Sequence, residues 1–86
     1  MFKLYQTSTC PFCMMVTHSI RKMGLSENQD YQLVNAARGT AGREEVLRLG
    51  GKGQVPFLVD GDTCMYESQD IIAYIRAHYG PDAVRS

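Results

Sequence analysis

The sequence lacks an excess of charge of either sign, because nine Lys and Arg residues balance nine Asp and Glu residues among 86. Nucleic-acid binders and polybasic membrane binders need a clustered positive excess, so we expect neither kind of partner. The sequence also lacks a long apolar run, and no basic segment precedes one at the N-terminus. We therefore expect no signal peptide and no membrane span.

Cysteine is scarce as well. The chain has three, an odd number that makes a poor framework of structural disulfides. With no export signal, we expect these cysteines to be redox thiols of a cytoplasmic protein. The sequence contains no linker, repeat or low-complexity tract. Its length then predicts one small domain over residues 1–86, which we expect to be a monomer.

Two of the cysteines stand two residues apart in the motif Cys10-Pro11-Phe12-Cys13, between a strand-like run at 2–5 and a helix-like run at 14–23. The first thiol then lies at a helix N-terminus, where unpaired N–H groups and the helix dipole stabilise a thiolate. The spacing predicts thiol–disulfide exchange, with Cys10 as nucleophile and Cys13 as resolving thiol.

A structural zinc site is the other use of such a pair, and zinc usually needs four ligands. Only Cys64, His18 and His78 remain as partners, and the sequence has no second C-x-x-C or paired-histidine motif. We therefore expect no metal. Cys64 itself alternates with Tyr66 in a strand-like run, which predicts a small buried apolar residue and not a third redox thiol.

Hydrophobic periodicity predicts the element order β-α-β-α-β-β-α. The predicted strands cover 2–5, 31–34, 55–59 and 63–66, with a turn at Gly61, and the predicted helices cover 14–23, 40–49 and 68–79. Ser68 is the expected N-cap of the last helix, which Gly80-Pro81 would end. The β-α-β start requires a parallel pair and the closing hairpin adds antiparallel strands, so we expect an α/β fold with a four-stranded mixed sheet flanked by three helices.

This order, with C-P-F-C after the first strand, resembles the thioredoxin fold, and the whole chain resembles a glutaredoxin. Four local matches carry the resemblance, namely the C-P-F-C motif, Gln54-Val55-Pro56, Gly61 and Glu67-Ser68. The pattern Val-Pro-x-Leu followed by Glu-Ser-x-x-Ile is similar to the N-terminal domain of glutathione S-transferases to the same degree.

The glutaredoxin resemblance implies a glutathione-dependent oxidoreductase that reduces protein disulfides and glutathionylated proteins, with glutathione as reductant. It implies a cis bond between Val55 and Pro56, whose bend presents the Val55 backbone to glutathione. The resemblance to glutathione S-transferases assigns the γ-glutamyl end of glutathione to Glu67 and Ser68, and a helix N-terminus binds carboxylates. The residues expected to contact glutathione are Phe12, Gln54, Val55, Pro56, Glu67 and Ser68.

The chain departs from the glutaredoxin pattern at Thr7, where that family usually has a lysine three residues before the first cysteine. The glycyl carboxylate of glutathione then needs another cation. Lys52 or Arg43 could supply it from the other side of the cleft, and Gln54 could add a hydrogen bond.

Two alternatives stay open at this point. The first is a dedicated electron donor, such as one for a ribonucleotide reductase, that is recycled by a thioredoxin reductase. The missing lysine at Thr7 favours it, and Glu67-Ser68 argues against it. The second is a non-catalytic module that binds glutathione or carries an iron–sulfur cluster between two chains.

Overall fold

Seven elements make up the computed structural model, which describes residues 1–80. The strands are β1 (Phe2–Gln6), β2 (Tyr31–Asn35), β3 (Phe57–Asp60) and β4 (Thr63–Met65), and the helices are α1 (Pro11–Lys22), α2 (Ala41–Gly50) and α3 (Ser68–Tyr79). The predicted element order is confirmed. None of the helices among residues 1–80 is both long enough and apolar enough to cross a membrane.

The four strands form one mixed sheet in the order β2-β1-β3-β4. β1 is parallel to β2, with Leu4 opposite Leu33, and antiparallel to β3, with Leu4 opposite Leu58. β4 pairs antiparallel with β3 and forms one edge of the sheet. This α/β arrangement confirms the expected thioredoxin fold, with a β-α-β unit followed by an antiparallel hairpin.

The sheet separates two apolar clusters because alternate strand residues point to opposite faces. Phe2 and Leu4 of β1 lie in the larger cluster, which α1 and α3 cover. Tyr5 points the other way and packs with Val46 of α2 and with Phe57. Burial of these side chains fixes the register of the central strand, since a shift of one residue would exchange the two faces.

One helix start agrees with prediction and one differs. α1 begins at Pro11, as expected from a helix N-terminus at Cys10, and the Cys10 side chain caps it. α3 begins at Ser68, so the predicted N-cap at Ser68 is wrong: Glu67 holds the cap position, with φ 60° and no side-chain capping bond. Gly80 follows α3 as predicted, while Pro81 lies outside the described residues.

Asp60, the last residue of β3, links the β3–β4 hairpin to the C-terminal part of α3. Its Oδ2 accepts hydrogen bonds from the hydroxyls of Tyr74 and Tyr79, each at 2.8 Å. Burial alone would raise the pKa of Asp60, but the two phenol hydrogen bonds outweigh burial and hold that pKa below its ordinary 3.8. Tyr79 also packs on Phe2, with 4.8 Å between ring centroids, so the three contacts join the last two turns of α3 to β1 and β3.

Replacing Asp60 with asparagine should lower the free energy of unfolding at pH 7 by about 1–2 kcal/mol, because two charge-assisted hydrogen bonds become neutral ones. A carboxyl with a depressed folded pKa contributes stability above its unfolded pKa and loses it as the pH falls. The gap between wild type and Asp60→Asn should therefore close below about pH 3.8, as urea unfolding at several pH values would test.

The matched control is Asp62→Asn, which removes a neighbouring, exposed carboxylate in the same turn. It should leave stability within about 0.5 kcal/mol of wild type. If the free energies of unfolding of wild type and Asp60→Asn differed as much at pH 2 as at pH 7, the charge of Asp60 could not be the cause.

Candidate functional site

One end of the sheet gathers the three predicted site segments. β1 ends there and leads into Cys10, β3 begins there after Val55-Pro56, and β4 ends there before Glu67. The antiparallel pairing of β3 with both neighbours explains this meeting, because it brings the start of β3 beside the ends of β1 and β4. Segments far apart in sequence thus meet at one end of the sheet, which is the predicted glutathione cleft.

Cys10 is the N-cap of α1 and is half-buried. Its Sγ accepts a hydrogen bond from the Cys13 backbone N–H at 3.3 Å. This bond uses one of the N–H groups that a helix start leaves unpaired, and such a donor stabilises negative charge on the sulfur. The same Sγ lies 3.9 Å from the Val55 carbonyl oxygen, which places the thiol against the loop before β3.

Cys13 differs sharply from Cys10 because its side chain is fully buried. Burial, reinforced by the hydrogen bond to Cys10, raises the pKa of the Cys13 thiol to about 12, against opposing hydrogen bonds from Thr7. At pH 7 a thiol with that pKa is ionised in only about one molecule in 10⁵. The pair therefore contains one accessible sulfur at a helix start and one protonated sulfur beneath it.

The peptide bond between Val55 and Pro56 is cis, which confirms the prediction. Pro56 is buried, Val55 is half-buried, and Gln54 is exposed at the start of this segment. Strand β3 begins only at Phe57, so Val55 and Pro56 lie in the connection and not in the predicted strand. The polar groups of this connection border the cleft beside Cys10.

Glu67 and Ser68 stand at the start of α3, at the same end of the sheet as Cys10. Glu67 is exposed and makes no capping bond with its own helix, while Ser68 is half-buried at the first helical position. The backbone N–H groups of the first helical turn point out of the helix there. A carboxylate and these N–H groups together suit a ligand that carries both an ammonium and a carboxylate.

The two cations predicted for this cleft have different surroundings. Arg43 is half-buried and donates from Nε to the Ala36 carbonyl at 2.8 Å and from Nη1 to the Gly53 carbonyl. It therefore braces the loop that precedes Gln54. Lys52 is exposed, with Nζ 5.8 Å from the ring centroid of Tyr66, and can reach a ligand without breaking such bonds.

Two predicted side chains need comment. Phe12 is 58% exposed at the start of α1, two residues after Cys10. Cys64 is exposed, and the prediction of burial is wrong. Cys64 and Tyr66 alternate onto one face, yet β4 is an edge strand and only Tyr66 packs against the cluster under α2.

Sequence reasoning missed Tyr66 as a residue of the site. Its hydroxyl is hydrogen-bonded to both backbone polar groups of Lys52, fourteen residues away. The available signal was its position directly before Glu67. Residues 1–80 contain no cluster of three or more His, Cys, Asp or Glu side chains that could hold a metal ion.

Known proteins resemble the chain over almost its whole length. The family model described as "Glutathione S-transferase, N-terminal domain" matches residues 4–83. Glutathione S-transferase 3 of Zea mays is 32% identical over 82 residues, which is 93% of this chain and 35% of that protein.

Solved structures agree with this result. A glutathione transferase homologue from sulfitobacter with bound glutathione has a TM-score of 0.72 and 29% identity, and the match covers 98% of this chain and 39% of that one. Glutathione transferase Omega 3C from Trametes versicolor has a TM-score of 0.77 at 22% identity, a likeness of fold, over 91% of this chain and 33% of that one. The chain thus spans about a third of the length of these relatives.

Proposed function

Because this chain belongs to the family of glutathione S-transferase N-terminal domains, we propose that it binds glutathione and acts as a glutathione-dependent thiol–disulfide oxidoreductase. The observation that carries the redox part is the contrast within one motif. Cys10 Sγ is accessible and accepts an N–H bond at a helix start, whereas Cys13 is buried beneath it. The substrates would be disulfides between a protein cysteine and glutathione.

The cleft supplies a partner for each part of glutathione. The ammonium and carboxylate of the γ-glutamyl end meet Glu67 and the first N–H groups of α3. The cysteinyl backbone pairs with the polar groups of Val55, next to Cys10 Sγ. The glycyl carboxylate meets Lys52, with Gln54 as a further hydrogen-bond donor.

The proposed reaction has two exchanges. The Cys10 thiolate attacks the glutathione sulfur of the mixed disulfide, the S–S bond breaks, and the protein cysteine leaves as a thiolate that takes up a proton. A second glutathione thiolate then attacks the glutathione sulfur bound to Cys10. This step forms oxidised glutathione and returns Cys10 as a thiolate, so each cycle consumes one free glutathione, and the other half of the oxidised glutathione comes from the mixed disulfide.

Cys13 offers a second exit from the Cys10–glutathione disulfide, because its sulfur can attack Cys10 and release glutathione. That attack requires a Cys13 thiolate, and burial raises the pKa of Cys13 to about 12. Because Cys13 is also fully buried, we expect external attack by glutathione to be the main route for glutathione mixed disulfides. The internal route would serve protein disulfides, which require two thiols in succession.

Cys13→Ser separates the routes. We expect the variant to keep turnover of a glutathione mixed disulfide within about twofold of wild type, measured by coupling to glutathione reductase. Reduction of an intramolecular protein disulfide should fall by about tenfold or more, because no internal thiol releases the trapped intermediate.

Cys64→Ser is the control, since it removes an exposed thiol on β4 and should leave both rates unchanged. Absence of turnover with glutathione in the wild-type protein would refute the proposed function. Reduction by thioredoxin reductase in its place would favour the dedicated electron donor, and visible absorbance of the purified protein would favour the iron–sulfur carrier.

Conjugation of glutathione to an electrophile is a second candidate, favoured by the family match. The chain covers only 35% of the Zea mays transferase, so that activity would require the rest of such a protein. The two candidates differ in what they consume. A conjugating enzyme uses up an electrophile without forming oxidised glutathione, whereas the proposed reaction forms it in each cycle.

A further inference from the structure

Tyr66 makes an unusual pair of hydrogen bonds with one residue of the neighbouring loop. Its hydroxyl accepts from the Lys52 backbone N–H at 3.0 Å and donates to the Lys52 carbonyl at 2.8 Å. A phenol hydroxyl has both capacities, and here one backbone residue uses both. The hydroxyl thereby fixes the orientation of the Lys52 backbone, from which the side chain extends.

The ring of Tyr66 is itself held in place. It packs on Phe57, with 4.7 Å between centroids, and Lys52 Nζ lies 5.8 Å from its centroid. Gly50, at the end of α2, gives the hydroxyl its room, since a Cβ there would overlap the Tyr66 oxygen and crowd Phe57. The hydroxyl position is therefore determined from both sides.

Tyr66 also adjoins the opposite half of the cleft, because Glu67 follows it directly at the start of α3. We propose that Tyr66 is a positioning residue for glutathione, which holds Lys52 in place to bind the glycyl carboxylate. This inference rests on the proposed function. In it Tyr66 touches no reacting atom and acts through the Lys52 backbone.

The neighbouring residue of the loop has a separate brace. Arg43 donates to the Gly53 carbonyl, whereas the backbone groups of Lys52 are bonded to the Tyr66 hydroxyl. Loss of this hydroxyl therefore frees Lys52 while Arg43 still anchors the loop beside it. Phenylalanine keeps the ring contact with Phe57, so Tyr66→Phe changes the position of Lys52 with little change in packing.

The test compares two ligands that differ only at the glycyl end. Binding of S-methylglutathione and of its glycinamide, in which a neutral amide replaces the glycyl carboxylate, would be measured by calorimetry, because the methyl group prevents disulfide exchange. Wild type should bind S-methylglutathione about tenfold or more tightly than the amide ligand, since the charge of the glycyl carboxylate is all that separates them. In Tyr66→Phe this ratio should fall to about threefold or less, with affinity for the amide ligand unchanged.

Tyr74→Phe is the matched control, because it removes a phenol hydroxyl that bonds Asp60 at the other end of the sheet. It should keep the wild-type ratio. An unchanged ratio in Tyr66→Phe, or an equal loss for both ligands, would overturn the inference. Wild-type binding of both ligands with equal affinity would overturn it while leaving the proposed function standing, and binding of neither would refute both.

Discussion

Cys10→Ser is expected to abolish glutathione-dependent disulfide reduction, with turnover at least about a thousandfold below wild type. The reaction needs an ionised nucleophile at this position, and a serine hydroxyl is not ionised at neutral pH. Serine is, however, a preferred helix N-cap and can accept the Cys13 N–H bond that the sulfur accepts now. The fold should therefore survive the change, and the loss would be one of chemistry.

Thermal unfolding provides the accompanying measurement. Cys10→Ser should remain within about 0.5 kcal/mol of wild type, whereas Cys10→Ala, which removes the cap as well, should lose about 1 kcal/mol. Both variants should be equally inactive. Activity of Cys10→Ser above a few per cent of wild type would contradict the assignment and would point to Cys13 or Cys64 as the attacking sulfur.

Gly42→Ala should have the largest effect on stability, with a loss of about 3 kcal/mol or more. An added Cβ would overlap the carbonyl oxygen of Asn35 at the end of β2 and would lie 3.0 Å from Cγ1 of Val34. These neighbours are a backbone group and a strand side chain, so α2 must move away from the sheet. Alanine ordinarily stabilises a helix by about 1 kcal/mol relative to glycine. A loss of stability in Gly42→Ala would therefore indicate the close contact of α2 with β2.

Gly53→Ala is the comparison for this effect. Its added Cβ would meet the end of the Arg43 side chain at 2.9 Å, and a flexible guanidinium can shift where a backbone carbonyl cannot. The expected loss is below about 1 kcal/mol by urea unfolding. Gly42→Ala at wild-type stability would show that α2 is not seated as closely on β2 as the structure has it.

The fold was predictable where local chemistry sets the element. Thr40 caps α2 through a bond to the Arg43 N–H, and Gly51 ends it with φ 86°, both of which a sequence pattern signals. The start of α1 was predictable in the same way, from Cys10 and Pro11. The cap of α3 was misplaced by one residue, because Glu67 adopts a positive φ that no residue preference indicates.

The segments of the candidate site were predictable from the sequence, but the hydrogen bonds that connect them were not. Cys10, Val55-Pro56 and Glu67-Ser68 could be named because each belongs to a recognisable motif. The roles of Arg43 and Tyr66 depend on which backbone groups they reach across the fold, as in the Tyr66–Lys52 pair. Cys64 was wrongly predicted to be buried. The alternation of residues along β4 predicts which face Cys64 lies on, but it does not predict whether α2 covers that face at the edge strand.

The two ends of the sheet have different roles: one carries the candidate site and the other carries contacts that stabilise the fold. Cys10, Val55 and Glu67 lie at one end of the strands, while Asp60 and its two tyrosine partners lie at the other, about 10 Å away along β3. Substitutions around the β3–β4 turn should therefore change the stability of the fold without changing ligand binding. Selection for durability and selection for specificity can then act on separate residues, with little conflict between them.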